Sequence, residues 1–141
     1  IVDDGPCTIG VESTIIDFTT PVPQLLRPGG FALEDLEELM GIHVAMPDGE
    51  SRASGMLESH YAPKGKLQLV DSLPDAISII RVHSEARLID HWGNLPLYAA
   101  SLYAQMRQAD KDGVQLMVAI NPAPTGLGRA IRDRLKKAAH P

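Results

Sequence analysis

Val114-Gln115-Leu116-Met117-Val118-Ala119-Ile120 is apolar and rich in β-branched residues, and it predicts the clearest strand of the chain. The turn Gly126-Leu127-Gly128 then opens a helix reaching Ala139. In that helix Leu127, Ala130, Ile131, Leu135 and Ala138 recur at helical spacing and predict a buried face, leaving Arg129, Arg132, Arg134, Lys136 and Lys137 to water. Reading backwards, Leu95 to Ala109 carries Leu95, Tyr98, Leu102 and Met106 on one helical face, with Pro96 in the first turn where a missing N–H costs nothing. Ala86–Ile89 and Leu67–Val70 are further strands, separated by a helix over Leu73–Ile80 that Ser72 and Pro74 begin. Alternating strands and helices predict a small Rossmann-like unit with a parallel sheet.

Reading towards the N-terminus, Val11 to Asp17 predicts a short strand between Gly10 and the stop Thr19-Thr20-Pro21. Gln24 to Arg27 predicts a second, ending in Pro28-Gly29-Gly30. A helix over Leu33–Met40 sets Leu33, Leu36, Leu39 and Met40 on one face, places its acids near the N-terminus and stops at Gly41. From Pro47 to Pro63 the chain is polar and rich in Gly and Ser, which marks a connector, yet it carries Gly55-Met56-Leu57-Glu58-Ser59-His60-Tyr61-Ala62-Pro63.

With 141 residues, 44% of them hydrophobic, the chain can fold as one domain or two small ones. No apolar run approaches the ~18 residues of a membrane span and no charged-then-apolar leader opens the chain, so no membrane association is expected. The single cysteine, Cys7, excludes an internal disulfide and a cysteine-rich zinc site, and a reducing cytoplasm fits. Small-residue packing is its expected role. His43, His83, His91 and His140 show no ligand spacing, so no metal site is expected from them. Residues 1–60 carry eleven acids and two bases; residues 61–141 carry seven acids and eleven bases. That asymmetry suggests two units joined near residues 50 to 65, although helices that merely differ in their solvated faces explain it equally well.

Three clusters combine flexible backbone with polar head groups: residues 4–14, 25–30 and 54–63. Arg27 is one of two bases in the acidic half and precedes two glycines. A guanidinium beside approachable backbone suits a phosphate or carboxylate, although an ion pair with a nearby acid explains it equally well. Ser13 and Thr14 offer hydroxyls to a small polar ligand, although serine and threonine in a strand are more often plain surface residues. His60 and Tyr61 offer an imidazole and a phenol for a phosphate or a base, with packing or capping the plainer alternative. Gly126-Leu127-Gly128, ahead of a basic helix, is a weak anion-binding signal.

Together, Asp-Gly-Pro-Cys-x-x-Gly-Val-Glu-Ser-Thr-Ile-Ile-Asp (4–17), Leu-Leu-Arg-Pro-Gly-Gly (25–30) and Ser-Gly-Met-x-x-x-His-Tyr-Ala-Pro (54–63) resemble the two-domain threonylcarbamoyl-AMP synthases, which have a YrdC-like catalytic domain. The segment Gly126-Leu127-Gly128-x-Ala130-Ile131-x-Asp133-Arg134-Leu135 is similar to that family's C-terminal domain. Asp4, Ser54 and Glu58 depart from the family pattern. The resemblance implies an α/β chain in which residues 1–46 end a YrdC-like domain whose N-terminal part lies outside this sequence, 47–66 are a linker, and 67–141 are a small Rossmann-like domain. It implies that the full-length protein makes threonylcarbamoyl-AMP and pyrophosphate from L-threonine, bicarbonate and ATP, with Mg2+ assisting. A tRNA-modifying threonylcarbamoyl-transferase complex would be its partner, and this stretch alone would be inactive. It further implies that Ser13 contacts threonine while Arg27, His60 and Tyr61 contact ATP, with Thr14 a weaker candidate. A different class of reading is a non-catalytic nucleotide- or RNA-binding module that uses the basic C-terminal helix.

Overall fold

A computed structural model describes residues 2, 5, 7–47, 53, 62–90 and 93–139. Near the N-terminus, β1 (Ile15–Asp17) and β2 (Gln24–Arg27) pair antiparallel, with Ile15 opposite Arg27 and Asp17 opposite Gln24. Asp17 ends β1 by turning its own carboxylate back on the chain, accepting hydrogen bonds from the backbone N–H and the hydroxyl of Thr19 at 2.7 and 2.6 Å. Helix α1 (Leu33–Met40) follows and closes on Gly41. Leu25, Leu33 and Val44 form a small core here, with Ile16 and Met40 against it. Leu39, expected on the buried face, is 78% exposed.

The remaining elements are β3 (Lys66–Val70), α2 (Leu73–Val82), β4 (Arg87–Ile89), α3 (Leu95–Lys111), β5 (Leu116–Ile120) and α4 (Leu127–Ala139). The three strands form a parallel sheet in the order β3-β5-β4, as strand–helix alternation predicts. Side chains alternate across β5: Met117 and Ala119 join the core beneath α3 and α4, whereas Leu116, Val118 and Ile120 pack with Ala76 of α2. Two covered faces explain why this central strand reads as a continuous apolar run. Ser72 and Asn94 cap α2 and α3 by accepting from the N–H groups of Asp75 and Leu97. The Tyr98 hydroxyl lies within reach of two strand-end carbonyls, 3.1 Å from that of Ile120 and 3.3 Å from that of Ile89, and burial pushes its pKa up. Among the described residues no helix is long and apolar enough to cross a membrane.

Candidate functional site

Antiparallel pairing brings the start of β1 beside the end of β2, and so joins two clusters that are 14 residues apart in sequence. Arg27 donates through Nε to the Ser13 carbonyl oxygen and through Nη2 to Ser13 Oγ, both at 3.0 Å. A planar fork with two acceptors on one residue holds that residue's position and direction. Thr14 does similar work one residue on. Its hydroxyl donates to the Phe31 carbonyl at 2.7 Å and accepts from the Phe31 N–H at 3.2 Å. Between these contacts the Gly30 N–H donates to the Glu12 carbonyl at 2.9 Å.

The strand predicted over Val11–Asp17 is therefore shorter than expected, covering Ile15–Asp17. Glu12, Ser13 and Thr14 bond instead to the Arg27–Phe31 stretch. Beside them lies an open cavity of about 530 Å³, with Glu12, Ser13 and Thr14 as polar wall and Ile9, Val11, Phe31 and Leu36 as apolar wall. Arg27 is joined to this wall through its bonds to Ser13. The arrangement can seat a small molecule that has a polar head and a short apolar part.

Helices α3 and α4 back the same segment. A Cβ built on Gly10 would lie 2.2 Å from Ala100 Cα, so the chain touches α3 backbone to backbone at a point where φ is +74°. Arg134 of α4 donates through Nε to Glu12 Oε2 at 2.8 Å and through Nη2 to the Pro28 carbonyl at 3.1 Å, and it is also paired with Asp133. Arg129 pairs with Glu34 at 2.7 Å, and the other Glu34 oxygen accepts from the Gly126 N–H at 3.2 Å.

Several sequence expectations are corrected here. Arg134, assigned to water, is 3% exposed, and Arg129 is engaged with Glu34. On the same helix Lys136 is exposed and Arg132 half-buried, whereas the Lys137 side chain is 12% exposed and pairs with Asp133. The Gly126 turn does meet an anion, but that anion is the chain's own Glu34 carboxylate. Cys7, expected to pack, is exposed. His60 and Tyr61 lie outside the described residues, as do Asp4, Ser54 and Glu58.

Burial works to raise the Glu12 carboxyl, but the hydrogen bond and charge of Arg134 outweigh it and hold Glu12 below its ordinary 4.5. Arg129 holds Glu34 below the same value. A folded pKa below the unfolded one contributes stability that is complete above the unfolded value and is lost as pH falls through the folded one. Resistance to urea should therefore be level from about pH 7 to about pH 5 and decline below about pH 4.5. Glu12→Gln and Glu34→Gln should be less stable at neutral pH and lose less on acidification. An acid limb identical to that of the unsubstituted chain would remove both contacts from the account.

The family model described as Threonylcarbamoyl-AMP synthase, C-terminal domain, matches residues 31–140. Curated proteins named threonylcarbamoyl-AMP synthase align with 99% of the chain, at 33% identity in Pyrococcus abyssi and 34% in Bacillus subtilis, each match covering 48% of the relative. The crystal structure of P. abyssi Sua5 complexed with L-threonine matches with a TM-score of 0.83 and 31% identity, covering 97% of this chain and 48% of that one. A second P. abyssi structure, of a variant with alanine in place of an adjacent histidine and tyrosine, matches with a TM-score of 0.79 at 29% identity, covering 94% of this chain and 46% of that one. The chain spans about half the length of the curated relatives it matches.

Proposed function

The chain belongs to the family of the threonylcarbamoyl-AMP synthase C-terminal domain, and we propose that it is the C-terminal portion of an enzyme that joins L-threonine, bicarbonate and ATP into threonylcarbamoyl-AMP. In this reading residues 1–46 complete a YrdC-like catalytic domain, 47–66 link it, and 67–141 form the Rossmann-like domain. Ser13 contacts threonine, Arg27 the ATP phosphates, and His60 and Tyr61 the nucleotide. The single observation that carries the reading is the two-pronged hold of Arg27 on Ser13 at the wall of the 530 Å³ cavity. It sets a guanidinium and a hydroxyl side by side, as an anionic nucleotide and a hydroxylated amino acid require. The relative solved with L-threonine supports the amino-acid half of the reading. The second relative is altered at an adjacent histidine and tyrosine, a pair of the kind that this sequence holds once, at His60-Tyr61.

The reaction is largely one of alignment. The threonine amine and bicarbonate give a carbamate with loss of water. A carbamate oxygen attacks the α-phosphorus, and the bond to pyrophosphate breaks. The chain's own groups hold the reactants in line and offset developing negative charge, Ser13 from the amino-acid side and Arg27 from the phosphate side. Among the described residues no group of three or more His, Cys, Asp or Glu side chains is placed to hold a metal ion, so no step is derived through Mg2+. The product would pass to a threonylcarbamoyl-transferase complex for tRNA modification in the cytoplasm.

The RNA-binding alternative draws on a basic helix face from which Arg129 and Arg134 are already committed to Glu34 and Glu12. The test is pyrophosphate release by the full-length protein. Release that requires threonine and bicarbonate together with ATP is expected, and release indifferent to threonine would overturn the reading.

A further inference from the structure

We propose that Arg134 is a positioning residue through which the C-terminal α/β unit holds the substrate strand in working geometry; the inference rests on the function proposed above. Its side chain is 2% exposed, the deepest of the cations on its helix, where Arg129 and Arg132 are half-buried and Lys136 is exposed. It bridges two segments far apart in sequence, the Glu12 carboxylate and the Pro28 carbonyl. Glu12 precedes Ser13, and Pro28 follows Arg27.

With the Arg27 fork on Ser13, the contacts close a ring: Arg134 to Glu12, along the chain to Ser13, across to Arg27, along to Pro28, and back to Arg134. A ring fixes the separation of Ser13 and Arg27 more firmly than their mutual hydrogen bonds alone, and a binding wall held in place beforehand costs less ordering when its ligand arrives. A second consequence concerns charge. Glu12 lines the cavity beside Ser13. Without the guanidinium, a bare carboxylate would face the carboxylate of threonine and the phosphates of ATP, and like charges repel. Only a planar fork reaches both acceptors at once, so lysine is an incomplete substitute.

The interface offers an internal control. Arg129 and Glu34 tie α4 to α1 by a similar ion pair, but neither residue adjoins Ser13 or Arg27 in sequence. In the full-length enzyme Arg134→Ala should raise the KM for L-threonine about tenfold or more, with kcat changed by less than about threefold. Arg134→Lys should fall between, and Arg129→Ala should lower Tm while leaving that KM unchanged. Equal effects of Arg129→Ala and Arg134→Ala on Tm, with neither moving KM, would overturn the proposal by making Arg134 a stability contact only.

Should Arg134→Ala fail to fold, Arg134→Lys decides by the same split. Hydrogen exchange supplies a readout independent of turnover. The Gly30 amide, bonded to the Glu12 carbonyl, should exchange faster in Arg134→Lys while amides of β5 keep their rates. Unchanged Gly30 exchange would overturn the bracing role. If the unsubstituted enzyme does not use threonine, the functional reading fails, and the exchange result still decides whether Arg134 braces the strand.

Discussion

Arg27→Ala in the full-length enzyme is expected to lower kcat/KM for ATP by about 30- to 1000-fold, equivalent to ~2–4 kcal/mol of transition-state stabilisation. Two losses combine in that figure. The cation proposed to face the phosphates disappears, and Ser13 is released from both of its bonds to the guanidinium. Arg27→Lys separates them. Lysine restores the charge but has no rigid fork to match a carbonyl and a hydroxyl of one residue. Recovery of less than about tenfold would show that geometry dominates, whereas full recovery would leave charge as the whole effect. Thermal denaturation should accompany the kinetics, because a fall in folded protein alone would leave kcat/KM per folded molecule unaltered. Unchanged kinetics for Arg27→Ala would remove this residue from the site.

Most elements were legible because their signals are local. Helices α2 and α3 begin at Ser72 and Asn94, with prolines where the first turn tolerates them, and a continuous apolar run marks β5. The candidate site was legible only as separate clusters: Ser13 and Arg27 each stand out in sequence, but their meeting depends on the β1–β2 register, which neither strand states alone. Other features depend on what lies opposite an element, which a helical or strand period does not encode. Helical period did hold a clue to Arg134: it stands four residues after Ala130 and three after Ile131, inside the apolar stripe, yet its charge argued for solvent.

The acidic first half and basic second half likewise read as separate units. In the fold they meet, and part of that asymmetry is interface complementarity between Glu12 and Glu34 on one side and Arg134 and Arg129 on the other. The cavity wall of Ile9, Phe31 and Leu36 gathers residues from two separate stretches, so no single motif announces it.

Gly29→Ala is expected to destabilise the chain by about 3 kcal/mol or more, the upper range for forcing atoms into filled space. That corresponds to a fall in Tm of roughly 6–12 °C for a chain of this size. A Cβ there would lie 2.3 Å from both the Ser13 carbonyl carbon and the Thr14 nitrogen, and 2.4 Å from the Glu12 carbonyl oxygen. All three are backbone atoms, so no side-chain rotation relieves the clash. Either the turn withdraws, breaking the Gly30 to Glu12 hydrogen bond, or the segment carrying Ser13 moves off the Arg27 fork.

Gly41→Ala is the matched comparison. Its φ of +64° strains any other residue, but its added Cβ meets open space, so a cost of only about 1–2 kcal/mol is expected. A Tm for Gly29→Ala no lower than that of Gly41→Ala would mean that the turn and the Ser13 segment are not in backbone contact. The close approach is then lost as the reason why Pro28-Gly29-Gly30 must follow Arg27, and the ring through Arg134 loses the side on which it closes.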